Sequence, residues 1–448
     1  MATLPAERSS GRILTLDVIR GVAVMGIFSV NVVAMAMIQI AYFYPPAFGF
    51  DHLPDKLVWL ANFILVDGKL RSLFSIMFGA SMMLIIDRAI AAGRSAWRTH
   101  YARMIVLMGF GYLHFLLLWW GDILTHYAAV GMVAFLFFRL NVRMLFTLSV
   151  VGFLIYAGPS AYFSIKAHSS YQQVRSGTAS AEVRNRYDER MKDLFPDAKA
   201  IAEDRADHQD IPAHVRAALK EGLGTPFDLG PLWIETLSLM LLGMAGYKSG
   251  FLTGEWSAQR YRRVATIGIG VGLAGYSALA AWSWLNGFGP PYAMGAYGGY
   301  SPLLRPVMAC GYAALVILLA RPGGALVQRL AAVGRTAFSN YLGCTIVGVL
   351  VFYGFAGGLY SEVSRSQAWL LVPLVWLAML AWSTPWLERF QYGPFEWAWR
   401  SLARWELQPM RKSPRPFRGG EEPRSGEGAG ESANLPRPRS PAASRPRP

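Results

Sequence analysis

A histidine with a carboxylate close behind it is the feature of this sequence best suited to acid–base chemistry. His114 lies inside an apolar run, and Asp122 follows it just after Trp120 and Gly121. A neutral imidazole can take a proton from a hydroxyl or an amine, and a carboxylate on its other nitrogen fixes its orientation. The spacing therefore favours a general base at His114, oriented by Asp122 across a turn at Gly121. A hydrogen bond between packed helices is the alternative role for such a histidine.

Four more polar residues are expected on the same side of the membrane as His114. They are Asn31, Asp67, Lys69 and Arg71. An amide or an ammonium group can stabilise the oxyanion that forms when a carbonyl is attacked, so Asn31 or Lys69 is predicted to do this. Asp67, Lys69 and Arg71 are predicted to bind substrate. The alternatives are an interfacial ion pair between Asp67 and Lys69, and a helix-packing amide at Asn31.

A second polar group is expected at the opposite, cytoplasmic side. Asp17 and Arg20 are three residues apart in the first apolar run, so they share a helix face and can pair. Gly21 allows another backbone to approach closely. The planar guanidinium groups of Arg20, Arg103 and Arg335 are suited to binding phosphate with two oxygens at once. The alternatives are a structural ion pair for Asp17 and Arg20, and plain membrane-end anchors for the arginines.

Composition places these residues in a membrane. Of the 448 residues, 53% are hydrophobic and only 16% are charged, whereas a soluble domain has about 25% charged residues. Apolar runs long enough to cross the hydrocarbon core recur along the chain, since a spanning helix needs about 20 residues. The sequence therefore predicts an all-α polytopic helix bundle with membrane lipids as neighbours.

About ten transmembrane helices are predicted. They are placed at residues 13–38, 70–90, 103–120, 123–139, 144–163, 230–251, 264–286, 303–320, 336–356 and 368–386. A shorter apolar stretch, 57–66, is expected to lie at the interface or to re-enter. Arginine and lysine concentrate in alternate loops, and such loops face the cytoplasm. Both termini are therefore predicted to be cytoplasmic.

Two segments differ from the membrane region, which is predicted to span residues 1–411. The loop at about 166–228 has ten basic and eleven acidic residues, and long loops can cross a membrane regardless of charge. It is predicted to be extracytoplasmic and able to form short helices, as either a passive connector or an acceptor-binding element. The segment 412–448 is rich in Pro, Arg and Gly, and is predicted to be a disordered cytoplasmic tail.

The sequence also argues against several functional classes. The net charge of +15 is explained by the loops and the tail, so no nucleic-acid partner is predicted. Cys310 and Cys344 both lie in apolar runs, and no cluster with metal-ligand spacing appears, so neither a disulfide framework nor a metal site is expected. A Gly-rich phosphate loop and a Gly-x-Ser-x-Gly elbow are both missing, which disfavours an ATPase or an α/β-hydrolase.

Several sequence blocks resemble the YeiB-like family of bacterial inner-membrane proteins, a group defined by a domain of unknown function. The matching blocks are 12–31 (RILTLDVIRGVAVMGIFSVN), 67–79 (DGKLRSLFSIMFG), 114–131 (HFLLLWWGDILTHYAAVG), 334–341 (GRTAFSNY) and 391–400 (QYGPFEWAWR). The resemblance extends from Arg12 to about Gln408. It implies a multi-pass protein of the bacterial inner membrane.

The first block is also similar to the start of transmembrane acyltransferases such as heparan glucosaminide N-acetyltransferase. Those proteins open with a similar Asp-x-x-Arg-Gly pattern, and an Asn closes the block, as Asn31 does here. This similarity implies transfer of an acyl group from a cytoplasmic donor to an acceptor on the far side. Heparan glucosaminide N-acetyltransferase, a lysosomal enzyme, has a catalytic His in the loop that follows this block. This chain has aromatic residues such as Tyr42 in that loop, and the spacing of His52 does not align it with the catalytic His.

Three functions are therefore compared. The first is an acyltransferase that uses acyl-CoA as a donor, holds no tightly bound cofactor, and modifies a small-molecule, glycan or lipid acceptor. The second is a transporter in which the buried His, Asp and Lys relay a proton or substrate. The third is a scaffold or sensor whose binding face is the 166–228 loop. A homo-oligomer is compatible with all three.

Overall fold

A computed structural model describes most of the chain, namely residues 13–222, 230–321 and 323–412. Within these ranges the chain is helical, and its strand-like pairing is limited to an isolated bridge between Phe390 and Arg411. The predicted all-α class is confirmed. The predicted tail lies outside the described residues apart from Lys412.

The described helices are numbered in chain order. The first ten are α1 Leu14–Ala36, α2 Gln39–Phe43, α3 Leu53–Leu65, α4 Lys69–Ala91, α5 Ala96–Leu117, α6 Leu124–Ala134, α7 Val142–Arg175, α8 Ala181–Leu194, α9 Ala198–Asp207 and α10 Ile211–Glu221. They are followed by α11 Leu232–Lys248, α12 Ala258–Leu285, α13 Pro290–Met294, α14 Leu304–Ala320, α15 Ala325–Arg335, α16 Ala337–Phe352, α17 Arg365–Trp369, α18 Leu371–Arg389 and α19 Pro394–Arg404. Short 3₁₀ or π turns lie at Pro45–Ala47, Phe135–Phe137, Gly295–Tyr300 and Ser301–Leu303.

Several of these helices can cross a membrane. Among the described residues, six segments are long and apolar enough: Leu14–Ala36, Leu53–Ala91, Val142–Arg175, Ala258–Leu285, Pro290–Ala320 and Arg365–Arg389. The pair α15 and α16, bent by 79°, makes a seventh if it is one span. The remaining predicted spans correspond to α5, α6 and α11, which are shorter or more polar. A multi-pass membrane bundle is therefore supported, while the count of ten remains a prediction.

The bundle has two polar ends, which are named here by the direction of α1. The basal end is the end at which α1 begins, and it holds Asp17, Arg20 and Arg103. The distal end is the end at which α4 begins, and it holds Lys69 and Arg71. The helix α1 is central, because it packs against α4, α14, α15, α16 and α18.

The predicted loop at 166–228 begins later than expected, and its described part forms short helices. The helix α7 continues to Arg175 instead of ending at 163, because its last turns are polar and hydropathy does not reveal them. It also passes through Gly158 and Pro159 without a break. Beyond it, α8, α9 and α10 are the short helices that the sequence predicted.

These helices are fastened to the distal end by hydrogen bonds to the loop after α16. The backbone N–H of Gly354 donates to the carbonyl of His208 at 3.0 Å, and Arg205 donates to the carbonyl of Ser361 at 2.8 Å. The hydroxyl of Tyr360 donates to the carboxylate of Asp204 at 2.6 Å. The segment α8–α10 is therefore called the distal cap.

Close contact between α1 and α15 depends on two glycines. A Cβ atom added to Gly21 would overlap the carbonyl oxygen of Leu330, and one added to Gly334 would overlap the carbonyl oxygen of Asp17. The predicted role of Gly21 in close backbone approach is thus what the structure shows. Small residues of this kind allow tight helix packing inside membranes, where lipid offers no hydrophobic drive for association.

We expect Gly21→Ala and Gly334→Ala each to destabilise the protein by about 1–3 kcal/mol, because the added methyl group forces the two backbones apart. The measurement is the midpoint of thermal unfolding of the purified chain in detergent. Gly270→Ala in α12 is the matched control, because a Cβ atom there meets no atom within 4 Å. Equal midpoints for all three variants would contradict this account of the contact.

Candidate active site

A cavity of about 250 Å³ opens among α1, α4, α5, α15, α16 and α19 at the basal end. Its polar wall holds five arginines, namely Arg20, Arg88, Arg103, Arg335 and Arg400. Two carboxylates, Asp17 and Glu396, also line it. The arginines predicted from the sequence to meet an anionic donor, Arg20, Arg103 and Arg335, are therefore brought together. This space is called the arginine cavity.

The side chain of Arg20 is held by partners from three helices. It donates to Asp17 on its own helix at 3.2 Å, which confirms the predicted contact between residues three apart. It also donates to the hydroxyl of Ser81 on α4 at 2.7 Å and to the carbonyl of Gly334 at 3.3 Å. Arg20 is thus fixed in orientation at the wall of the arginine cavity.

Arg103 is positioned by the amphipathic helix α19. Its guanidinium lies 4.2 Å from the ring of Trp399, and the indole of Trp399 donates to the carbonyl of Arg103 at 2.8 Å. A guanidinium over an indole face is a favourable cation–π arrangement. The Nε atom of Arg103 is buried and has no hydrogen-bond partner among the described residues, so it can donate to a ligand.

A buried carboxylate attaches α19 to the start of α16. Glu396 accepts hydrogen bonds from the backbone N–H groups of Phe338 and Ser339 at 2.7 and 3.0 Å, and from the hydroxyl of Ser339 at 2.5 Å. A carboxylate at the first turn of a helix satisfies N–H groups that have no partner within the helix. This bond places Trp399 and Arg400 against the arginine cavity.

The deep wall of the arginine cavity is formed by two tyrosines. Tyr127 and Tyr341 both line it, together with Leu107 and Leu124. The hydroxyl of Tyr127 is 2.8 Å from that of Ser75. The ring of Tyr341 lies 5.4 Å from the ring of His114, centroid to centroid. Tyr341 therefore stands between the arginine cavity and the predicted base.

His114 and Asp122 form the predicted pair. The Nδ1 atom of His114 is 3.1 Å from Oδ1 of Asp122, and both side chains are buried. Asp122 also accepts from the backbone N–H groups of Leu124 and Thr125, at 3.1 and 2.9 Å, and so caps the start of α6. The carboxylate is thereby fixed by the backbone, and it orients the imidazole in turn.

The other nitrogen of the imidazole is available. The Nε2 atom of His114 is buried and has no hydrogen-bond partner among the described residues. When the Nδ1–H group donates a hydrogen bond to Asp122, the Nε2 atom carries a lone pair and can accept a proton. Trp119 packs its indole over Gly121, where a Cβ atom would overlap the ring, so the glycine lets the turn close.

A charge cluster at the distal end was only partly anticipated. Glu235 on α11 accepts hydrogen bonds from Arg71 at 2.8 Å and from Arg305 at 3.0 Å. Arg71, predicted to bind substrate, is thus committed to Glu235. Neither Glu235 nor Arg305 was singled out in the sequence, although a charged residue within an apolar run is itself a signal of a buried partner.

Lys69 is completely buried, and its side chain is bonded to the backbone of residues that shortly precede it in the sequence. Its Nζ atom donates to the carbonyls of Phe63 and Asp67 and lies 3.2 Å from the ring centre of Tyr276. Lys69 thus bonds to the backbone carbonyl of Asp67, whereas the sequence had offered an ion pair between the two side chains as one alternative. The carboxylate of Asp67 instead lines a small distal cavity of about 20 Å³ beside Tyr42, Tyr297 and Arg365.

Two further predicted residues are not joined to the His114–Asp122 pair. Asn31 is half-buried in α1, and the hydrogen bonds of His114, Asp122 and Lys69 go to other partners. His126, one turn beyond Asp122, is fully buried, and its Nε2 atom lies 2.9 Å from the hydroxyl of Thr236. Asn31 stays a prediction without a supporting contact.

The distal cap reaches the end of α5 through a histidine. The Nε2 atom of His214 is 3.3 Å from the carbonyl of Phe115, the residue after His114. Burial lowers the pKa of His214 to about 4, so its imidazole is neutral at physiological pH and can donate to that carbonyl. The distal cap therefore covers the helix end that carries the candidate base.

Metal chemistry was not expected from the sequence. Across the ranges that the structure describes, no three His, Cys, Asp or Glu side chains are grouped so that they could hold a metal ion.

Comparison with known proteins identifies the family. Residues 246–406 match a family described as "Protein of unknown function (DUF418)". The chain is 31% identical to the uncharacterized protein YeiB of Escherichia coli K12 over 399 residues, covering 87% of this chain and 96% of that protein. It is 28% identical to the uncharacterized protein YxaH of Bacillus subtilis 168, covering 92% and 99% of the two chains.

A third relative is an uncharacterized 39.9 kDa protein of Bacillus acidopullulyticus, 23% identical over 87% of this chain and 93% of that protein. No solved structure matches the chain. The identity to YeiB extends over nearly the whole of both chains, and the family match falls within the same span. The chain therefore belongs to the YeiB-like family of proteins that carry the DUF418 domain.

Proposed function

We propose that this chain is a membrane-embedded acyltransferase, which moves an acyl group from an acyl-CoA-type donor at the basal end to a hydroxyl or amine acceptor. The observation that carries the proposal is an unbroken series of contacts. The arginine cavity ends at Tyr341, and the ring of Tyr341 lies against that of His114. A donor bound by the arginines would thus reach Tyr341, whose ring adjoins a base oriented by Asp122.

Charge supports an anionic donor. Five arginines and two carboxylates line the arginine cavity, which leaves an excess of positive charge in a partly buried space. The buried Nε atom of Arg103 has no hydrogen-bond partner among the described residues, so a negatively charged ligand bound here would satisfy it. The phosphates of coenzyme A have this chemistry, and guanidinium groups bind them through paired hydrogen bonds.

The distance along α5 suits a donor with a long arm. Arg103 and His114 lie eleven residues apart on this helix, which corresponds to a rise of about 16 Å. Apolar side chains, including Phe74, Phe78 and Leu107, line the space between them. A coenzyme A thioester separates its phosphates from its carbonyl by a flexible pantetheine arm, which would lie along this apolar stretch.

The location follows from the same arrangement. The basal end is rich in arginine, and such ends face the cytoplasm. The relatives from Escherichia coli and Bacillus subtilis are bacterial, so the membrane would be the bacterial inner membrane with both termini cytoplasmic. The donor would then enter from the cytoplasm. The acceptor, a glycan, a lipid or a small molecule, would approach from the other side, where the distal cap lies.

We expect His114→Gln and Asp122→Asn to lower the turnover of acetyl-CoA by about 10²–10⁴-fold, because proton transfer by a positioned base contributes this much. The measurement is release of the free thiol by the full chain in detergent or nanodiscs. Asp122→Asn keeps a side-chain oxygen for the α6 cap but loses the charge that orients the imidazole.

His52→Asn is the matched control for these two variants, because His52 is exposed and lies outside both cavities. Its turnover should equal that of the wild type. Turnover by His114→Gln and Asp122→Asn at the wild-type rate would exclude this mechanism, provided that both variants unfold at the wild-type temperature.

We expect Arg20→Gln and Arg103→Gln to weaken binding of acetyl-CoA about tenfold or more, since hydrogen bonds to charged groups contribute about 1.5–3 kcal/mol. The measurement is the dissociation constant at two salt concentrations, and the wild-type affinity should fall as salt rises. Arg139→Gln is the matched control, since Arg139 belongs to the same end but does not line the arginine cavity. Equal loss in all three variants would point to a diffuse surface effect.

A transporter remains the second candidate because of one observation. The helices α15 and α16 meet at a bend of 79° around Thr336, and interrupted helices often form the substrate sites of transporters. Flux of a substrate into proteoliposomes without any covalent product would favour this function. Thiol release that depends on His114 would favour the acyltransferase.

A further inference from the structure

We propose that the hydroxyl of Tyr341 is the group that stabilises the oxyanion in this reaction. The proposal rests on the function put forward above and assigns a catalytic residue within the same site. It replaces the role that the sequence suggested for Asn31 or Lys69.

The position of Tyr341 is the first support. It is buried in α16, lines the deep wall of the arginine cavity and lies 5.4 Å from the ring of His114. A thioester carbonyl placed at this wall would meet the phenol of Tyr341, and the imidazole of His114 lies beside that ring. Tyr341 thus occupies the place at which an oxyanion donor is needed.

The second support is that the hydroxyl of Tyr341 is not used within the protein. It is buried and makes no hydrogen bond of normal geometry with any described residue, although the backbone of Ile123 is close enough to interact with it. Buried hydroxyl groups are normally hydrogen-bonded, so each exception asks for an explanation. The hydroxyl of Tyr127, on the same wall, is already occupied by Ser75.

The groups around Tyr341 share this property. The Nε2 atom of His114 and the hydroxyl of Thr125 are also buried without partners in the described part of the chain. The neighbouring rings of His114 and Tyr341 therefore offer a proton acceptor and a hydrogen-bond donor that no described residue uses, and Thr125 is bonded through its backbone to Asp122. A reacting carbonyl and an attacking hydroxyl or amine would satisfy them together.

The earlier candidates for this role are committed elsewhere or lack a contact. The Nζ atom of Lys69 donates to two backbone carbonyls and lies over the ring of Tyr276. Asn31 shares no hydrogen bond with the His114–Asp122 pair. Tyr341, in contrast, borders both the donor cavity and the base.

The proposed reaction consists of addition to the thioester carbonyl followed by loss of the thiol. The acceptor oxygen or nitrogen forms a bond to the thioester carbon while Nε2 of His114 takes its proton. The carbonyl electron pair moves to oxygen, and the oxyanion accepts a hydrogen bond from Tyr341. On collapse the carbon–sulfur bond breaks, and the departing thiolate takes the proton back from the imidazolium. The products are the acylated acceptor and the free thiol.

The test is Tyr341→Phe in the full chain, assayed by thiol release from acetyl-CoA. We expect kcat to fall about 10²–10³-fold, the usual effect of removing one oxyanion donor. The dissociation constant of acetyl-CoA should stay within about threefold of the wild type, because the ground-state carbonyl needs the donor less. Tyr353→Phe is the matched control, since that hydroxyl is also buried without a partner but lies beside the distal cap.

A second measurement separates catalysis from packing. Replacing Tyr341 by fluorotyrosines of increasing acidity strengthens the donor at nearly constant shape, so kcat should change steadily along the series. A kcat for Tyr341→Phe within threefold of the wild type, alongside an inactive His114→Gln, would overturn the role of Tyr341 and leave the acyltransferase in place. The assay includes a bacterial membrane lipid and glycan extract as acceptor, and no thiol release by the well-folded wild type with this extract would overturn both proposals.

Discussion

Pairing of charge away from water is the constraint on which the bundle depends. A carboxylate or guanidinium inside a membrane is tolerated only with a partner, and removing one member of a buried pair costs several kcal/mol. Glu235 on α11 meets this requirement by pairing with Arg71 of α4 and Arg305 of α14. Three helices that are distant in sequence are thereby held in one register at the distal end.

The candidate site differs from the distal cluster in what its free groups border. At the distal end, each oxygen of Glu235 has an arginine partner. The neighbouring rings of His114 and Tyr341 each carry a buried polar atom without a partner in the described ranges, and Tyr341 lines a cavity with five arginines and two carboxylates. Proteins usually satisfy such groups, so a local excess of unused donors and acceptors is typical of a place where a ligand binds.

The sequence predicted the parts of the site that depend on local geometry. Asp17 and Arg20 are one helical turn apart, and His114 and Asp122 are separated by one tight turn, so their contacts follow from spacing. Gly21 was found because small residues in apolar runs indicate close packing. The all-α class followed from apolar run length, as hydrogen bonding within the bilayer requires.

Contacts between distant segments could not be predicted in this way. The pairing of Glu235 with Arg71 and Arg305, and the approach of Tyr341 to His114, depend on how helices are arranged around α1. The partners of Lys69 were not foreseen because they are backbone carbonyls, which no pattern of side chains reveals. The polar end of α7 was missed since hydropathy marks the membrane boundary and not the end of a helix.

The attachment of α19 to α16 has a consequence for how a ligand could enter the arginine cavity. Glu396 fixes α19 to the first turn of α16, the helix that carries Tyr341. If α19 moves aside to admit a bulky ligand, that turn loses its cap, at a cost of about 1 kcal/mol or more. The wall would then be loosened while a ligand enters and restored only once α19 returns. Ligand entry would thus require the hydrogen bonds of Glu396 to break, and acyl transfer would require them to form again.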